Sequence, residues 1–335
     1  MSASTSGALA SVYAQGGWMQ RAQLVTGRSV TVQVWADDRS RGAAAMAAVM
    51  AEMQRIARVC DPQRPASELA MLNAAATARP VPVSDELFQL LVRAHAFARG
   101  SDGAFDPTCG ALTLAVEPPG GDPADEPGLA RALQAVGWRH LLLDPATRSV
   151  RLARAGVRLD LTGFATAYAI DRCVALLRRQ GIQHALVGAG GDTRLLGDRR
   201  GGPWTITLRD PDDADRVLAL LPLQDLAVST AVGHRREHRL RAPVLDPRSG
   251  RPPAGLRSAT VVASEGITAH ALAKAALVLG VEGALKLAAA QAAVDAVLVD
   301  AEGRLHVSAG LQNLRQAPPA GRAAVRAGAA PQSVA

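Results

Sequence analysis

The chain has 335 residues, of which 48% are hydrophobic, 20% are charged and only 3% are aromatic. The apolar fraction is large enough for a folded core and excludes a wholly disordered chain, and the length suits one large domain or two smaller ones. The formal net charge of +7 suggests an acidic partner, although the basic residues are interspersed with aspartates, as on an ordinary solvated surface.

The N-terminal part of the chain predicts one strand and two helices, framed by irregular segments. Apolar and polar side chains alternate in the strand, whereas apolar side chains recur at helical spacing in the first helix. Ser84, which two acidic residues follow, is a typical N-cap for the second helix. The predicted segments are a flexible leader over 1–20, a strand over 30–35, helices over 43–58 and 84–100, a loop over 100–112 and a linker over 117–127.

The rest of the chain mixes predicted strands and helices without a strict strand–helix–strand order. This pattern favours an α+β, or mixed α/β, fold class. The predicted strands cover 157–161, 184–187, 204–209, 226–229, 259–263 and 296–299, the predicted helices cover 166–179, 268–279 and 282–290, and residues 316–335 predict a disordered tail.

The cysteines and the hydropathy pattern limit the class of protein further. Cys60, Cys109 and Cys173 have no CxxC spacing, so we predict small buried thiols and neither a disulfide framework nor a zinc site. No run of about 18 uncharged apolar residues is present, so no membrane span is predicted. With neither a signal peptide nor a lipobox in the sequence, we expect a cytoplasmic protein.

Three short loops combine glycine or proline with aspartate, which suits a phosphorylated ligand. They are 102–108 (DGAFDPT), 188–192 (GAGGD) and 246–250 (DPRSG). Glycine lets the backbone approach a ligand and exposes N–H groups to phosphate, and a neighbouring aspartate can bind ribose hydroxyls or a metal. Each loop alone is also typical of an ordinary turn, but 188–192 follows a predicted buried strand, where ligand crevices open in α/β sheets.

The order of these loops resembles the ApbE-type FAD:protein FMN transferase family. Two further segments, SELAMLN at 67–73 and DLTGFATAYAID at 160–171, extend the resemblance to about residues 20–310. The resemblance implies a single domain over 21–315 with two interleaved lobes and a flavin cleft between them. Members of the family bind FAD and, with Mg²⁺, cleave its pyrophosphate and join FMN to a Ser or Thr hydroxyl of a target protein, releasing AMP. FAD and a flavin-acceptor protein are therefore the expected partners.

The resemblance also assigns binding residues, position by position. The expected metal contact of the backbone is the carbonyl of Gly163. The expected FAD-binding residues are Ala104, Phe105, Asp106, Asp160, Thr166, Ala189, Gly190, Gly191, Asp192, Leu245 and Asp246.

The expected metal site departs from the family pattern. The family helix reads ADALAT, whereas residues 269–274 read AHALAK, so that His270 and Lys274 replace the metal-binding Asp and Thr. Magnesium prefers hard oxygen ligands in a compact octahedron, which an imidazole and an ammonium do not supply. Although Mg²⁺ is expected from the family, we therefore predict that these side chains do not bind it.

The expected base and the expected flavin-stacking ring are replaced as well. The family histidine before IDP aligns with Pro243, and a ring-stacking tyrosine aligns with Gln63. His238, within HRREHRLR at 234–241, is a candidate for the missing base. This basic segment is otherwise read as a solvated hairpin or as a phosphate or acidic-partner site, and we expect no nucleic-acid binding because no aromatic interleaving or known motif accompanies it.

Two hypotheses follow from these departures. In the first, the chain is a transferase with a rebuilt site, in which His238 is the base and Lys274 supplies positive charge in place of Mg²⁺. In the second, it is a degenerate, non-catalytic FAD-binding or scaffold protein, which the simultaneous loss of metal and base favours. We predict that Lys274 points into the cleft. The alternatives are that its ammonium extends to water or forms an ion pair with Asp246 or Asp160.

Overall fold

The computed structural model of the protein describes residues 16–25, 27–116, 118, 124–233, 244–312, 315–316 and 332–334. The strands in these ranges are β1 (Gly17–Val25), β2 (Arg28–Ala36), β3 (Val81–Pro82), β4 (Leu141–Asp144), β5 (Ser149–Leu152), β6 (Ala185–Ala189), β7 (Asp192–Leu196), β8 (Trp204–Arg209), β9 (Val217–Leu223), β10 (Ala227–Val232), β11 (Leu256–Ala263), β12 (Asp295–Asp300), β13 (Leu305–Val307), β14 (Arg315–Gln316) and β15 (Gln332–Val334). The helices are α1 (Arg39–Cys60), α2 (Glu68–Ala75), α3 (Asp85–Gly100), α4 (Gly110–Val116), α5 (Glu126–Gln134), α6 (Thr162–Arg179) and α7 (Gly266–Ala289).

An antiparallel sheet of eight strands is the central element. Its strand order is β1-β2-β6-β7-β10-β11-β12-β13. The β2–β6 pair, which runs from Val30↔Ala189 to Val34↔Ala185, joins the N-terminal hairpin to the second half of the chain. A four-stranded sheet (β14-β9-β8-β15) and a three-stranded sheet (β3-β5-β4) complete the described strands.

The large sheet has a hydrophobic core on each face. Neighbouring residues of β6 show this division, because successive side chains of a strand point to opposite faces. Val187 belongs to a core that it shares with buried residues of α1 and α6. Leu186 belongs to a different core, in which it packs with Trp204 and Ile206 of the four-stranded sheet. Helix α7 covers the strands β10 to β12 and forms the third core with them. The protein is therefore layered as helices, large sheet and small sheet, and the predicted α+β class is confirmed.

Most predicted elements are present. The predicted strands 30–35, 184–187, 204–209, 226–229, 259–263 and 296–299 overlap β2, β6, β8, β10, β11 and β12, and the predicted helices 43–58, 84–100 and 166–179 overlap α1, α3 and α6. The predicted helices 268–279 and 282–290 overlap α7, which is interrupted at Gly280 (φ 73°, ψ −174°). Glycine alone readily adopts that conformation, so the break between the two predicted helices occurs where the sequence places it.

The strand predicted over 157–161 is wrong. The only ladder contact in this segment is an isolated bridge between Arg158 and Cys109. Its backbone is instead fixed by loops, because Leu159 N–H donates to Asn73 Oδ1 at 2.8 Å and Asp160 N–H donates to the carbonyl of Pro107 at 2.9 Å. The segment is an extended connection that leads into α6.

The irregular segments need smaller corrections. Residues 1–15 of the predicted leader lie outside the described residues, but 17–20 belong to β1, and the predicted loop 100–112 ends where α4 begins at Gly110. In the predicted linker, 117 and 119–123 lie outside the described residues, and 126–127 are helical because Asp125 caps α5. In the predicted disordered tail, 316 and 332–334 are in strands and the other residues are outside the described ranges. Within those ranges, no helix has both the length and the apolarity to cross a membrane.

Candidate functional site

The Asp106 carboxylate holds the 102–108 loop in place. One oxygen accepts hydrogen bonds from Thr108 N–H at 2.8 Å and from the Thr108 hydroxyl at 2.6 Å, and the other accepts from Trp138 N–H at 2.7 Å. Burial raises the pKa of Asp106, and these donors oppose the rise. Since the carboxylate is occupied by the protein itself, Asp106 shapes the loop and does not present a free carboxylate to a ligand.

The aromatic residue of this loop is also engaged in packing. Phe105 is only 7% exposed, and its ring packs against Phe97 and Phe164 with centroid distances of 6.5 and 5.5 Å. Ala104 is buried beside it. A ring that sequence reasoning missed is Trp138, which is partly exposed and covered by the Arg139 guanidinium 4.3 Å from the ring centroid. No motif in the sequence around Trp138 and its neighbour Gly137 marks this ring as part of the site.

A two-residue turn presents Asp192 from the large sheet. Ala189 and Asp192 are paired across the β6–β7 hairpin, and the turn consists of Gly190 (φ 63°) and Gly191. Thr230 N–H of β10 donates to the carbonyl of Gly191 at 2.9 Å, and a Cβ at Gly191 would overlap the carbonyl oxygen of Thr230. The glycine therefore permits the close backbone approach that fixes the turn.

Asp192 and His270 form a buried pair. His270 Nδ1 lies 3.0 and 3.1 Å from the two oxygens of the Asp192 carboxylate, and the Ser229 hydroxyl donates to the same carboxylate at 2.6 Å. Burial alone would raise the pKa of Asp192, but His270, Ser229 and Lys274 together hold the pKa below its ordinary value. Ser229 was missed by sequence reasoning because it joins the site through its cross-strand pairing with Asp192.

The other nitrogen of His270 faces the first turn of α6. His270 is 7% exposed, and its Nε2 is buried without a hydrogen-bond partner. A Cβ built on Gly163 would lie 2.6 Å from Nε2 and 3.4 Å from Lys274 Nζ. Both side chains of the altered family motif, one helical turn apart on α7, therefore meet the backbone at Gly163.

The N-terminal end of α6, beside Gly163, has backbone N–H groups without a hydrogen-bond acceptor in the described residues. Leu161, at the N-cap, makes no side-chain capping bond. Asp160 accepts from Thr162 N–H at 2.9 Å, but Gly163 N–H and Phe164 N–H have no acceptor among the residues that the structure describes. The Thr166 hydroxyl donates to the Thr162 carbonyl at 2.8 Å, so Thr166 is directed to its own helix.

The separate loops contact one another near Cys109, because Asp160 N–H donates to the carbonyl of Pro107 at 2.9 Å and Gly250 approaches Leu112 of α4. Burial raises the pKa of this thiol, and the charges of Asp106, Lys274, Asp160 and Asp246 also act on it. Those four residues come from the 102–108 loop, from α7, from the start of α6 and from the 246–250 loop. They occupy one neighbourhood of the fold, although the sequence separates them widely.

The 246–250 loop is closed on itself. The Arg248 side chain binds both oxygens of the Asp246 carboxylate, at 3.0 and 3.1 Å, and Arg248 N–H donates to it at 2.9 Å. Leu245 beside it is partly buried. Gly250 (φ 69°) approaches Leu112 of α4 and Leu133 of α5, so this loop is packed on the two helices that follow the 102–108 loop.

The side chains present do not fit a magnesium ion. The described part of the chain contains no group of three or more His, Cys, Asp or Glu residues that could hold a metal ion. Beside Gly163 the nearest side-chain atoms are an imidazole nitrogen and an ammonium, and Mg²⁺ prefers oxygen ligands. Lys274 forms no ion pair with Asp160 or Asp246 in the described residues, so the predicted alternative pairing is not formed.

The sequence also singles out His238, Pro243 and Gln63. His238 and Pro243 belong to 234–243, which lies outside the described residues. Gln63 is exposed in the turn after α1, where its N–H donates to Asp61 Oδ1 at 2.9 Å.

Comparisons with known proteins agree with this architecture. The sequence profile described as the ApbE family matches residues 26–298. The chain is 32% identical over 318 residues to an FAD:protein FMN transferase of Treponema pallidum, covering 87% of each protein, and 30% identical over 263 residues to one of Klebsiella pneumoniae, covering 76% of this chain and 81% of the other. A crystal structure of the ApbE protein from Thermotoga maritima aligns with TM-score 0.80 at 26% identity, covering 89% of this chain and 99% of that one. The flavin transferase ApbE from Vibrio cholerae has the same fold, with TM-score 0.79 at 21% identity over 90% of this chain and 100% of that one.

Proposed function

The chain belongs to the ApbE family, and on that premise we propose that it uses FAD to attach FMN to a Ser or Thr hydroxyl of an acceptor protein. The curated relatives carry the name FAD:protein FMN transferase over most of this chain. The observation that carries the proposal is that segments distant in the sequence are adjacent in the fold. Asp160 N–H, before α6, donates to the Pro107 carbonyl of the 102–108 loop at 2.9 Å, and Lys274 Nζ would lie 3.4 Å from a Cβ at Gly163.

The reaction is a transfer of a phosphoryl group. The acceptor hydroxyl oxygen attacks the phosphorus of the FMN half of FAD, the bond from this phosphorus to the bridging oxygen breaks, and AMP leaves with that oxygen and the bonding electrons. The hydroxyl proton must pass to a base, and we propose His238 for this role. The ends of its segment, Gly233 and Val244, adjoin β10 and the 246–250 loop.

The described residues divide this work between binding and positioning. We propose that the Ala189–Asp192 turn, Asp160, Leu245 and Asp246 line the FAD cleft. Ala104, Phe105 and Asp106 shape the adjoining loop from inside, through packing and hydrogen bonds, and Thr166 acts within its own helix. No step is assigned to Mg²⁺, because the residues beside Gly163 do not fit it.

The test is incubation of the full chain with FAD and a peptide that carries a flavinylation motif. We expect equal amounts of AMP and of covalent flavin fluorescence on the denatured peptide. FMN in place of FAD is the control, since it has no AMP to release and should leave the peptide unlabelled. FAD binding without AMP release would contradict the transferase and identify the non-catalytic alternative.

The proposed role of His238 as the base is tested by substituting each histidine of the 234–241 segment in turn. His238→Ala should lower the transfer rate by about 10²–10⁴-fold, which is the usual contribution of a general base. His234→Ala is the matched control, since it removes an imidazole from the same basic segment and should leave the rate within about twofold. Equal effects of the two substitutions would contradict the role of His238.

A further inference from the structure

We propose that the N-terminal end of α6, together with Lys274 and His270, forms a phosphate-binding site that works without a divalent cation. Its ligand would be the pyrophosphate of FAD, so this inference rests on the proposed function. The site assigns a binding role to two side chains that depart from the family's metal-binding motif.

The backbone contributes the first half of the site. Helix α6 is 18 residues long, and its first N–H groups carry the positive end of the helix dipole. Because Asp160 takes only the Thr162 N–H, the N–H groups of Gly163 and Phe164 remain without an acceptor in the described ranges. Free N–H groups at a helix N-terminus are a common binding site for phosphate.

A buried side chain independently points to a ligand at the same place. His270 is 7% exposed and Asp192 holds its Nδ1, so its Nε2 is left buried without a partner. An unpartnered buried polar atom is costly and is usually satisfied by a ligand or by water. Gly163 makes this approach possible, because a Cβ there would lie 2.6 Å from Nε2. Nδ1 faces the Asp192 carboxylate, so Nε2 is the ring atom that is left to hydrogen-bond with a phosphate.

The ammonium group of Lys274 makes the site positively charged. Its Nζ would lie 3.4 Å from the same Cβ at Gly163, and it has no hydrogen bond or ion pair in the part of the chain that is described. The two nearby carboxylates are already engaged, Asp192 by His270 and Ser229, and Asp160 by Thr162 N–H. A partly buried ammonium without a counter-ion attracts an anion and repels Mg²⁺. A diphosphate suits this arrangement, since one phosphate can meet the ammonium and the other the helix end.

The first test measures FAD binding to the unmodified chain by calorimetry, in EDTA and again in excess Mg²⁺. We expect the two dissociation constants to agree within about twofold. If Mg²⁺ strengthens binding tenfold or more, or if FAD does not bind in EDTA, the inference is wrong. This measurement needs no variant and therefore does not depend on how a substitution affects folding.

The second test compares the only two lysines of the chain, both of which lie on α7. Lys274→Met should weaken FAD binding by about 10- to 100-fold, as expected when a charged hydrogen bond is lost. The same variant should leave riboflavin binding unchanged, because riboflavin has no phosphate. Lys286→Met is the matched control on an exposed part of the helix and should leave both affinities unchanged. Equal losses for FAD and riboflavin would show a structural effect and overturn the inference.

The third test restores the family residues. The double variant His270→Asp with Lys274→Thr should bind FAD more tightly in Mg²⁺ than in EDTA, by about tenfold or more. Absence of this gain, with the thermal midpoint unchanged, would contradict the idea that the two side chains replace a metal.

These binding measurements also separate this inference from the transfer reaction. FAD binding that ignores Mg²⁺ but leads to no AMP release would reject the transferase and retain the phosphate site. Transfer that requires Mg²⁺ would retain the transferase and reject the metal-free site.

Discussion

At Gly191 the site depends on the absence of one methyl group. The turn that presents Asp192 lies so close to β10 that a Cβ would overlap the carbonyl oxygen of Thr230. This contact involves backbone on both sides, so neither partner can relieve the overlap by changing a rotamer. The position of the Asp192 carboxylate, and with it the orientation of His270, therefore depends on this glycine.

We predict that Gly191→Ala lowers the free energy of unfolding by about 1–3 kcal/mol, the usual cost of forcing atoms into a packed site. Denaturant unfolding of the purified variant measures this loss. Gly202→Ala is the matched control, because a Cβ there meets nothing within 4 Å, and it should change stability by less than about 0.5 kcal/mol. Equal stability of the two variants would contradict the close approach.

Single residues of the site differ in how far the sequence reveals them. His270 and Lys274 stand out because they break a motif, and that comparison needs no structure. Ser229 does not stand out, because its role follows from the antiparallel register that places it opposite Asp192. Asp106 is found by its motif, but the motif does not tell that its carboxylate is occupied by Thr108 and Trp138. Motifs therefore identify the residues of the site better than they identify which atoms remain free.

At the scale of elements, an ion-pair network fastens three helices to one another. Glu52 of α1 binds Arg55 on the same helix at 2.8 Å and Arg172 of α6 at 3.1 Å. Arg55 continues the network to Glu86 of α3 at 2.7 Å, and the Tyr168 hydroxyl donates to Glu86 at 3.0 Å. Hydrogen bonds from Arg55 and then from Arg172 lower the pKa of Glu52 to about 2, against the effect of burial.

We predict that Glu52→Gln costs about 1–2 kcal/mol of stability at pH 7, since it removes one charge from a partly buried network. Because the folded state lowers the pKa of Glu52, its contribution is complete above the unfolded value of 4.5 and is lost as the pH falls toward about 2. The difference in unfolding free energy between wild type and variant should therefore shrink as the pH is lowered through that range.

The control for this prediction is Glu282→Gln. Glu282 is exposed on α7 and its side chain has no hydrogen bond or ion pair in the ranges described, so its substitution should change the free energy of unfolding at pH 7 by less than about 0.5 kcal/mol. A constant difference for Glu52→Gln between neutral and acidic pH would contradict the network.

Elements are predicted well where one periodicity dominates. The α1 and α3 helices and the β2 strand follow from the spacing of their apolar residues, and the break in α7 follows from Gly280. The strand predicted over 157–161 fails for a physical reason, because its backbone groups bond to Asn73 and Pro107 and not to a neighbouring strand. An extended apolar segment with tertiary partners looks the same in the sequence as a strand.

At the scale of the whole molecule, one sheet carries the three hydrophobic cores of the described residues. Leu186 and Val187 are neighbours in β6 but belong to cores on opposite faces. A loss of order in the sheet would therefore expose both layers together. This arrangement supports the proposal that residues 21–315 form a single domain.

We predict that unfolding followed by far-UV circular dichroism and by tryptophan fluorescence gives coincident transitions. Three of the tryptophans, Trp18, Trp35 and Trp204, are in edge contact at 5.2 and 5.7 Å and report on the sheets. The circular dichroism signal reports mainly on the helices, which cover the other face. Separate midpoints would contradict a single domain.

A substitution in the core between the two sheets tests the single-domain prediction in a second way. Ile206 is 1% exposed between the two sheets, and Ile206→Ala should cost about 2–5 kcal/mol. Both signals should shift by the same amount, although the substitution touches only the sheet–sheet core. Leu142→Ala, at a position that is 46% exposed, is the control and should shift neither signal by more than about 0.5 kcal/mol.

The global arrangement of the elements is the feature that the sequence predicts least well. The α+β class follows from the mixture of predicted elements, and the order of the motifs indicates the family. That β2 lies beside β6, more than a hundred residues later, does not follow from any local pattern. Such pairings are set by which faces bury the most apolar surface together, and that is a property of the assembled layers.

The reactivity of the three cysteines reports on local opening of the fold. Burial raises the pKa of Cys60 and of Cys173 to about 12, and it also raises that of Cys109. Because only the thiolate is nucleophilic, these groups are almost inert at neutral pH while the fold is closed. An alkylating reagent therefore modifies Cys173, whose Sγ lies 3.5 Å from the Val49 carbonyl of α1, when α1 and α6 separate. The half-buried Cys109 reports instead on the loops around it. Mass spectrometry of the labelled fragments would measure the rate of each of these two openings separately.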